Sequence, residues 1–253
     1  MQTCALLFDP YPKVPTSKEG IATAADFLRS GGFVIDLSKS CVPFDLLTRS
    51  KPYLYHAKYS LVAFPTETVY GLGANALNQK AVTGIFEAKA RPLTDPVIVH
   101  VPSVDLALEM IELDDSGANM FHVLTKKFWP GPLTLISKAK SSVPTTHILS
   151  AGSGLIGVRC PQHPVALALL RASKLPIAAP SANRFGHVSP TCSAHVVADL
   201  GHCPIVIIDE RDDGTTTTAA AAETTPPLPA SSSAKLCCQV GIESTVCKID
   251  SQV

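Results

Sequence analysis

Two spacings of apolar residues alternate along this chain. Segments with apolar residues at every third or fourth position predict helices, and short continuous apolar runs predict buried strands. The first predicted helix is capped by Ser17 and closed by Gly31-Gly32, and its apolar face consists of Ile21, Ala24, Ala25 and Leu28. A strand, FVID at 33–36, follows. Alternation of this kind predicts a layered α/β fold.

The segment from residue 64 to residue 101 carries the densest polar chemistry. It reads FPTETVYGLGANA, a helix ending in EAKARP, and a strand VIVHV. Asn78 is predicted to cap the helix, and Val82 and Phe86 mark its apolar face. Lys89 lies seven residues after Val82 and continues that face, so its side chain is predicted to point over the sheet. Because it lies near a helix end, Lys89 is also expected to lie outside the core.

The rest of the chain repeats the alternation. Helices are predicted near 103–112 and 116–128, and the second places Phe121, Leu124 and Phe128 in the core, with Trp129 just beyond. The later elements are the strands LTLIS and LIGVR, the helix HPVALALLRA, the strand IAAPSAN, a helix around 193–200 and the strand IVIID.

Two segments depart from this regularity. Residues 37–60 are interpreted as a surface insertion. Residues 210–239 are low in complexity, with runs of Thr, Ala, Pro and Ser, and predict a mobile spacer loop, with phosphorylation as the alternative reading.

Composition narrows the class of protein. The 253 residues are 46% hydrophobic and 17% charged, with a formal net charge of zero, so a globally basic nucleic-acid binder is disfavoured while a local basic concavity stays open. Eight cysteines without a CxxC pair predict a reducing compartment and no zinc site. No signal peptide or 18-residue apolar span is visible, which predicts a cytoplasmic location without membrane contact, the mitochondrion being the alternative.

Four motifs in order then resemble one known family. They are FPTETVYGLGANA, KARP at 89–92, PSAN at 180–183 and GIESTV at 241–246, and they look like the signatures of the YrdC/Sua5 family, the threonylcarbamoyl-AMP synthases. The resemblance implies one YrdC-like domain over residues 1–253, a twisted mixed sheet with surrounding helices and a concave cleft, and no C-terminal Sua5 domain. It also implies ATP binding without a P-loop or a Rossmann turn, since neither motif follows a strand here.

The resemblance implies a reaction. L-threonine and bicarbonate or CO2 would combine, and the carboxylate formed would attack the α-phosphate of ATP, with Mg2+ present, and expel pyrophosphate. The product would pass to a tRNA threonylcarbamoyltransferase complex that makes N6-threonylcarbamoyladenosine, with weak tRNA contact by this chain. L-threonine, bicarbonate and ATP are zwitterions or anions, so the site needs fixed positive charge and neutral donors rather than a protein nucleophile.

The same resemblance assigns site residues by position, with Lys89 and Arg91 as the catalytic pair and no metal held by the protein itself. The residues assigned to L-threonine are Thr66, Thr68, His100, Arg159, Ser181 and Ser244. The residues assigned to ATP are Lys89, Arg91, Asp95, Asn183, Ser189 and Thr191.

Simpler roles stay open for most of these residues. Lys89 and Arg91 could complement the helix dipole, and His100 could be a satisfied core residue. Arg159 could form an ion pair at a strand end, Ser181 and Asn183 a turn, and the segment Ser189–Thr191 a helix cap, which is the first reading there. Glu67 could be a general base, a loop holder or a magnesium ligand. Cys160 is interpreted as a small apolar residue.

Three departures from the family pattern are visible, and the first is the insertion at 37–60, just before the TET loop. Asp95 stands where asparagine is more frequent, which places a negative charge near the phosphates. The sequence ends at Val253, where the family continues with another arginine, so an incomplete ATP side is expected.

Two rival functions remain. A carbamoyl transferase of the hydrogenase-maturation type would carry CxxC pairs, which the sequence lacks. A non-catalytic RNA-binding YrdC-like module would need stacking aromatics, and aromatic residues make up only 6% of this chain.

Overall fold

A computed structural model describes residues 13–15, 18–30, 60–203, 205–209, 238 and 240–249. The helices in these ranges are α1 (Lys18–Ser30), α2 (Gln79–Lys89), α3 (Val104–Met110), α4 (Asp115–Phe128), α5 (Thr146–Leu149), α6 (Pro164–Ser173) and α7 (Ser193–Leu200). The strands are β1 (Lys13–Pro15), β2 (Val62–Phe64), β3 (Gly71–Asn75), β4 (Val99–His100), β5 (Ile111–Glu112), β6 (Leu133–Ala139), β7 (Leu155–Arg159), β8 (Ile177–Ala178), β9 (Val206–Asp209) and β10 (Thr245–Lys248).

The strands form one mixed, open sheet in the order β1-β9-β2-β3-β8-β4-β7-β6-β10, with β5 paired to β6. Strand β3 runs antiparallel to both β2 and β8, and β4 runs parallel to β7. Three strand-to-strand steps therefore separate β3 from β7. This distance matters because the loop between β2 and β3 contacts the end of β7.

Helices cover the sheet through two clusters of buried residues. One cluster joins α1 and α6 to β2 and β9, with Phe27, Leu28 and Leu169 at its centre. The other joins α2 and α4 to the middle of the sheet and includes Ile85 and Phe121. The mixed sheet with surrounding helices that the sequence predicts is confirmed.

Local chemistry explains several elements. The Asn78 side chain accepts a hydrogen bond from the Ala81 backbone, so the predicted cap of α2 is confirmed. The predicted inner face of α1, residues 21–28, is buried at its apolar positions. Strand β8 contains only two residues because proline residues 176 and 180, on either side of it, cannot donate a ladder hydrogen bond.

Some predicted elements were wrong in detail. The helix expected over 103–112 ends at Met110, because the next two residues pair with β6 instead. The strand expected over VIVHV pairs only at Val99–His100. Phe128, expected in the core with Phe121, is 44% exposed, and its ring lies 5.2 Å from the Lys127 ammonium.

Several predictions lie outside the described residues: the Ser17 cap, the FVID strand, nearly all of the insertion at 37–60 and nearly all of the loop at 210–239. Within the described part, no helix has both the length and the apolarity needed to cross a lipid bilayer.

Candidate functional site

The loop between β2 and β3 is built around the Thr66 side chain. The Thr66 hydroxyl donates to the Val69 carbonyl at 2.7 Å and accepts the backbone N–H groups of Thr68 and Val69, each at 3.2 Å. Since its own proton is committed to Val69, Thr66 accepts from the Thr68 hydroxyl at 2.9 Å. Thr66 therefore shapes the loop, and Thr68 is the hydroxyl that the loop presents.

A buried ion pair joins this loop to the end of β7. Arg159 Nη2 lies 2.6 Å from Glu67 Oε1, and both side chains are at least nine-tenths buried. The same guanidinium donates to the Thr68 hydroxyl at 3.0 Å and to the Gly131 carbonyl at 3.2 Å. The strand-end ion pair considered for Arg159 is therefore present, and its partner is Glu67.

His100 lies beside this pair on β4. Burial, and next the positive charge of Arg159, lower the pKa of His100 to about 3, while a hydrogen bond to the Ile177 backbone opposes the shift. The imidazole is therefore neutral at physiological pH. Its Nδ1 atom is buried and has no hydrogen-bond partner among the residues that the structure describes.

Lys89 closes helix α2 and connects it to the PSAN segment. Its Nζ donates to the Ser181 carbonyl at 2.6 Å, to the Asn183 carbonyl and, at 3.4 Å, to the Asn183 side-chain oxygen. The side chain is 1% exposed. The inward orientation predicted from its helical position is confirmed. The accompanying expectation that Lys89 lies outside the core was wrong, because it is among the most buried side chains described.

The charge state of Lys89 depends on this burial. Burial, and next repulsion from Arg91, lower the pKa of Lys89 to about 7, while Glu243 and Asp199 oppose the shift. A lysine with this pKa exchanges its proton near neutral pH. Its charge can therefore respond to an anion that arrives nearby.

Arg91 follows the left-handed turn at Ala90 that ends α2. Its guanidinium donates to the Pro96 carbonyl at 2.9 Å, lies 3.7 Å from the Asp95 carboxylate and stands 5.7 Å from the centre of the Phe185 ring. Burial lowers the pKa of Arg91, and Asp95 opposes that shift. Phe185 was not anticipated from the sequence, although it follows the PSAN motif by two residues.

Backbone hydrogen bonds bring the PSAN segment against the hydroxyl loop. The Ala182 N–H donates to the Tyr70 carbonyl at 2.7 Å, and Ser181 forms a bridge with Gly71. The Asn183 side chain donates to the carbonyls of Arg184 and His187. The two parts of the predicted site are therefore adjacent in space, although about 110 residues separate them in the sequence.

The GIESTV segment lies against the same loop. The N–H groups of Val240 and Gly241 donate to the carbonyls of Glu67 and Thr68, at 2.8 and 3.0 Å. The Ser244 hydroxyl pairs with that of Thr134 at 2.8 Å. Residues 240 and 241 thus contact the loop that holds the buried ion pair, and Ser244 lies against β6.

Ser189 and Thr191, assigned to ATP, have other partners here. Ser189 donates to the Glu243 carboxylate at 2.7 Å, and the Thr191 hydroxyl lies 3.4 Å from a His195 ring nitrogen. The first reading of this segment, a cap for α7, was wrong: the capping position is Cys192, which makes no side-chain cap bond.

Cys160 directly follows Arg159 but has the properties of an apolar residue. Burial raises the pKa of its thiol to about 11, so the nucleophilic thiolate is scarce at neutral pH. Among the described residues, no group of three or more His, Cys, Asp or Glu side chains is arranged to hold a metal ion.

The fold and these motifs define the class of protein. An open mixed sheet carries a threonine-rich loop, a lysine at a helix end and a PSAN segment in mutual contact. The chain belongs to the Sua5, YciO and YrdC family, whose model, described as "Telomere recombination", matches residues 57–225. The family resemblance seen in the sequence is thereby confirmed.

Relatives and solved structures agree with this membership. The chain is 49% identical over 140 residues to the threonylcarbamoyl-AMP synthase of Bacillus subtilis, covering 55% of this chain and 39% of that protein. It is 42% identical over 165 residues to the enzyme of that name from Schizosaccharomyces pombe, covering 58% and 40%. The structure of Pyrococcus abyssi Sua5 complexed with L-threonine matches at 35% identity and a TM-score of 0.65, covering 94% of this chain and 54% of that one.

A more distant solved structure shares the fold. Escherichia coli YciO shares the fold, with a TM-score of 0.59 at 19% identity, covering 80% of this chain and 84% of that one. The matched segment spans about two fifths of the length of the curated relatives.

Proposed function

We propose that this protein is an L-threonylcarbamoyladenylate synthase. In the proposed reaction the threonine nitrogen attacks CO2 derived from bicarbonate, and the new carbamate oxygen attacks the α-phosphate of ATP. The bond between the α- and β-phosphates breaks, and pyrophosphate leaves. The observation that carries the proposal is the buried cluster of Arg159, Glu67 and Thr68 in a chain 49% identical over 140 residues to a synthase of this name.

The proposed L-threonine side uses the hydroxyl loop and its neighbours. Arg159 is proposed to bind the threonine carboxylate through guanidinium N–H groups that donate to no acceptor among the described residues. Thr68, Ser181 and Ser244, together with the neutral His100, supply hydrogen bonds for the remaining polar groups. Thr66 contributes by holding the loop rather than by a free hydroxyl, since its proton is already donated to Val69.

The proposed ATP side uses Arg91 and Lys89. Arg91 offers a planar group of N–H donors suited to phosphate oxygens, and its buried Nε has no partner among the described residues. Lys89 fixes the segment from Ser181 to Asn183 and gains positive charge as a polyphosphate approaches. This chemistry requires charge stabilisation and positioning more than a nucleophile.

Mg2+ is proposed to accompany ATP. Magnesium in nucleotide sites is held by substrate phosphates and one or two carboxylates, so it does not require a cluster of protein ligands. Asp95 and Glu243 fit this role because both act electrostatically on Arg91. When bound, the ion would neutralise charge on the phosphates.

The proposed product is destined for tRNA modification. A tRNA threonylcarbamoyltransferase complex would accept it, in keeping with the relatives named threonylcarbamoyl-AMP synthase. The alternatives, an RNA-binding module and a hydrogenase-maturation carbamoyl transferase, gain no support from the relatives at 42–49% identity.

Pyrophosphate release tests the proposal. The purified chain is mixed with ATP, Mg2+, L-threonine and bicarbonate, and each component is omitted in turn. We expect release only when all are present, and its loss in Arg91→Ala. Release that does not depend on threonine, or full activity in Arg91→Ala, would refute the proposal.

A further inference from the structure

One carboxylate oxygen of Glu67 has no hydrogen-bond partner in the described part of the chain. Oε1 accepts from Arg159 at 2.6 Å, whereas Oε2 is buried and receives no hydrogen bond from any residue that the structure describes. The side chain is 9% exposed. A buried carboxylate oxygen without a donor is costly, so such an atom commonly binds a group that comes from outside the chain.

The partner of Glu67 has spare donors. A guanidinium carries five N–H groups. Arg159 directs three of them at the Gly131 carbonyl, the Thr68 hydroxyl and Glu67 Oε1. Within the described ranges, the ion pair therefore leaves unused both a carboxylate oxygen of Glu67 and guanidinium N–H groups of Arg159.

These unused groups match one kind of ligand. An α-amino acid zwitterion carries a carboxylate and an ammonium separated by a single carbon, so it can lie against an arginine–glutamate pair with opposite charges facing each other. Thr68, bound to the same guanidinium, adds a hydroxyl beside the pair. A ligand without the ammonium would leave Oε2 unsatisfied.

We infer that Glu67 is a substrate-binding residue whose Oε2 accepts a hydrogen bond from the α-ammonium of L-threonine, while Arg159 binds the α-carboxylate. The inference rests on the proposed function and makes the site selective for zwitterionic α-amino acids. After the nitrogen has become a carbamate it keeps one N–H, which can still donate to Oε2. Glu67 thus holds the nitrogen in place before and after carboxylation.

Binding measurements without turnover test this role. Isothermal titration calorimetry compares L-threonine with 2,3-dihydroxybutanoate, in which a hydroxyl replaces the ammonium, on the wild-type chain and on Glu67→Gln. We expect Glu67→Gln to weaken L-threonine binding roughly 10- to 100-fold, the range for a hydrogen bond to a charged group. ATP affinity should change little, and the preference for threonine over the hydroxy acid should largely disappear.

A matched variant shows whether the loss of a carboxylate outside the site also affects L-threonine binding. Glu112→Gln removes a charge that pairs with Lys138 at 3.0 Å on the exposed face of the sheet edge. It should bind L-threonine with wild-type affinity. Circular dichroism checks that each variant is folded. If Glu67→Gln does not fold, the inference is tested by comparing the affinities of the wild-type chain for L-threonine and for 2,3-dihydroxybutanoate.

The outcomes separate the inference from the proposed function. Wild-type affinity for threonine in folded Glu67→Gln would overturn the inference, and would indicate that a water molecule satisfies Oε2. Equal wild-type affinity for threonine and the hydroxy acid would overturn it too. Either result, together with threonine-dependent pyrophosphate release, would leave the proposed function standing. A wild-type chain that neither binds threonine nor releases pyrophosphate would refute both.

Discussion

Arg159 and Glu67 form a buried ion pair, with 2.6 Å between Nη2 and Oε1, although one belongs to β7 and the other to the loop between β2 and β3. Their contact spans three strand-to-strand steps in the sheet order. The loop must therefore cross a face of the sheet to reach Arg159, and the ion pair fixes it there. The same contact places the hydroxyl of Thr68 beside a cation.

Breaking this pair is predicted to destabilise the fold. Arg159→Met leaves the Glu67 carboxylate buried without a counter-charge, which costs about 3–5 kcal/mol. Urea unfolding followed by circular dichroism measures the loss. The double variant Arg159→Met/Glu67→Gln also removes the buried, unpaired carboxylate, and it should recover part of the lost free energy of unfolding. A loss below about 1 kcal/mol in the single variant would show that the pair contributes little.

Lys89 is predicted to make stability depend on pH. Its pKa is about 7 in the folded protein, whereas a lysine in an unfolded chain titrates near 10.5. Between those values the unfolded chain binds more protons, so the free energy of unfolding should rise with pH from about 7 to 10.5. The stability gained over this range is fully present above pH 10.5 and is lost as the pH falls to about 7.

To check the predicted pH dependence, the free energy of unfolding is measured at a series of pH values for the wild type and for Lys89→Met, which lacks the titrating ammonium. Lys138→Met is the control, since Lys138 is an exposed lysine paired with Glu112. The pH dependence should be weaker in Lys89→Met and unchanged in Lys138→Met. Parallel curves for wild type and Lys89→Met would contradict the assignment.

Arg91 and Phe185 are predicted to act together on ATP. Arg91→Lys loses the planar set of donors and should raise the KM for ATP roughly 10-fold. Phe185→Leu removes a cation–π contact of about 0.5–1 kcal/mol and should raise it roughly 2- to 5-fold. Phe128→Leu removes a similar pair with Lys127, away from the site, and should leave the KM unchanged. A larger effect for Phe128→Leu than for Phe185→Leu would exclude this role.

Much of the fold could be predicted from the sequence, because the features that were predicted depend on interactions between residues close together in the chain. The Asn78 cap and the spacing from Val82 to Lys89 depend on helix geometry alone, so the inward orientation of Lys89 could be predicted, although the extent of its burial was not. The ends of short elements could not. Met110 ends α3 because the residues after it pair with β6, and that pairing depends on tertiary structure.

The resemblance named residues of the candidate site, but the sequence did not indicate which residues they contact. The resemblance named Arg159 and Thr68, yet nothing in the sequence indicates that Glu67 pairs with Arg159, since they are 92 residues apart. Phe185 shows the same limit, because its contact with Arg91 depends on how the PSAN segment packs against the end of α2. Long-range contacts of this kind require the sheet order.

The glycines of the motif GLGAN are predicted to differ in tolerance. A Cβ at Gly73 would lie 2.7 Å from Phe64 Cε1 and 2.8 Å from Ile177 Cγ2, whereas a Cβ at Gly71 would have its nearest neighbour at 3.3 Å. Gly73→Ala should therefore cost about 1–3 kcal/mol through overpacking, and Gly71→Ala clearly less. Thermal unfolding of the two variants compares them. Equal melting temperatures would show that Phe64 and Ile177 move aside freely.

Product analysis tests the central claim most directly. The wild-type chain is incubated with ATP, Mg2+, L-threonine and 13C-labelled bicarbonate, and the nucleotides are separated and weighed by mass spectrometry. The account predicts an adenylate that contains threonine and a single labelled carbon, formed in step with pyrophosphate. An adenylate without the labelled carbon, or threonine that never becomes joined to AMP, would contradict it.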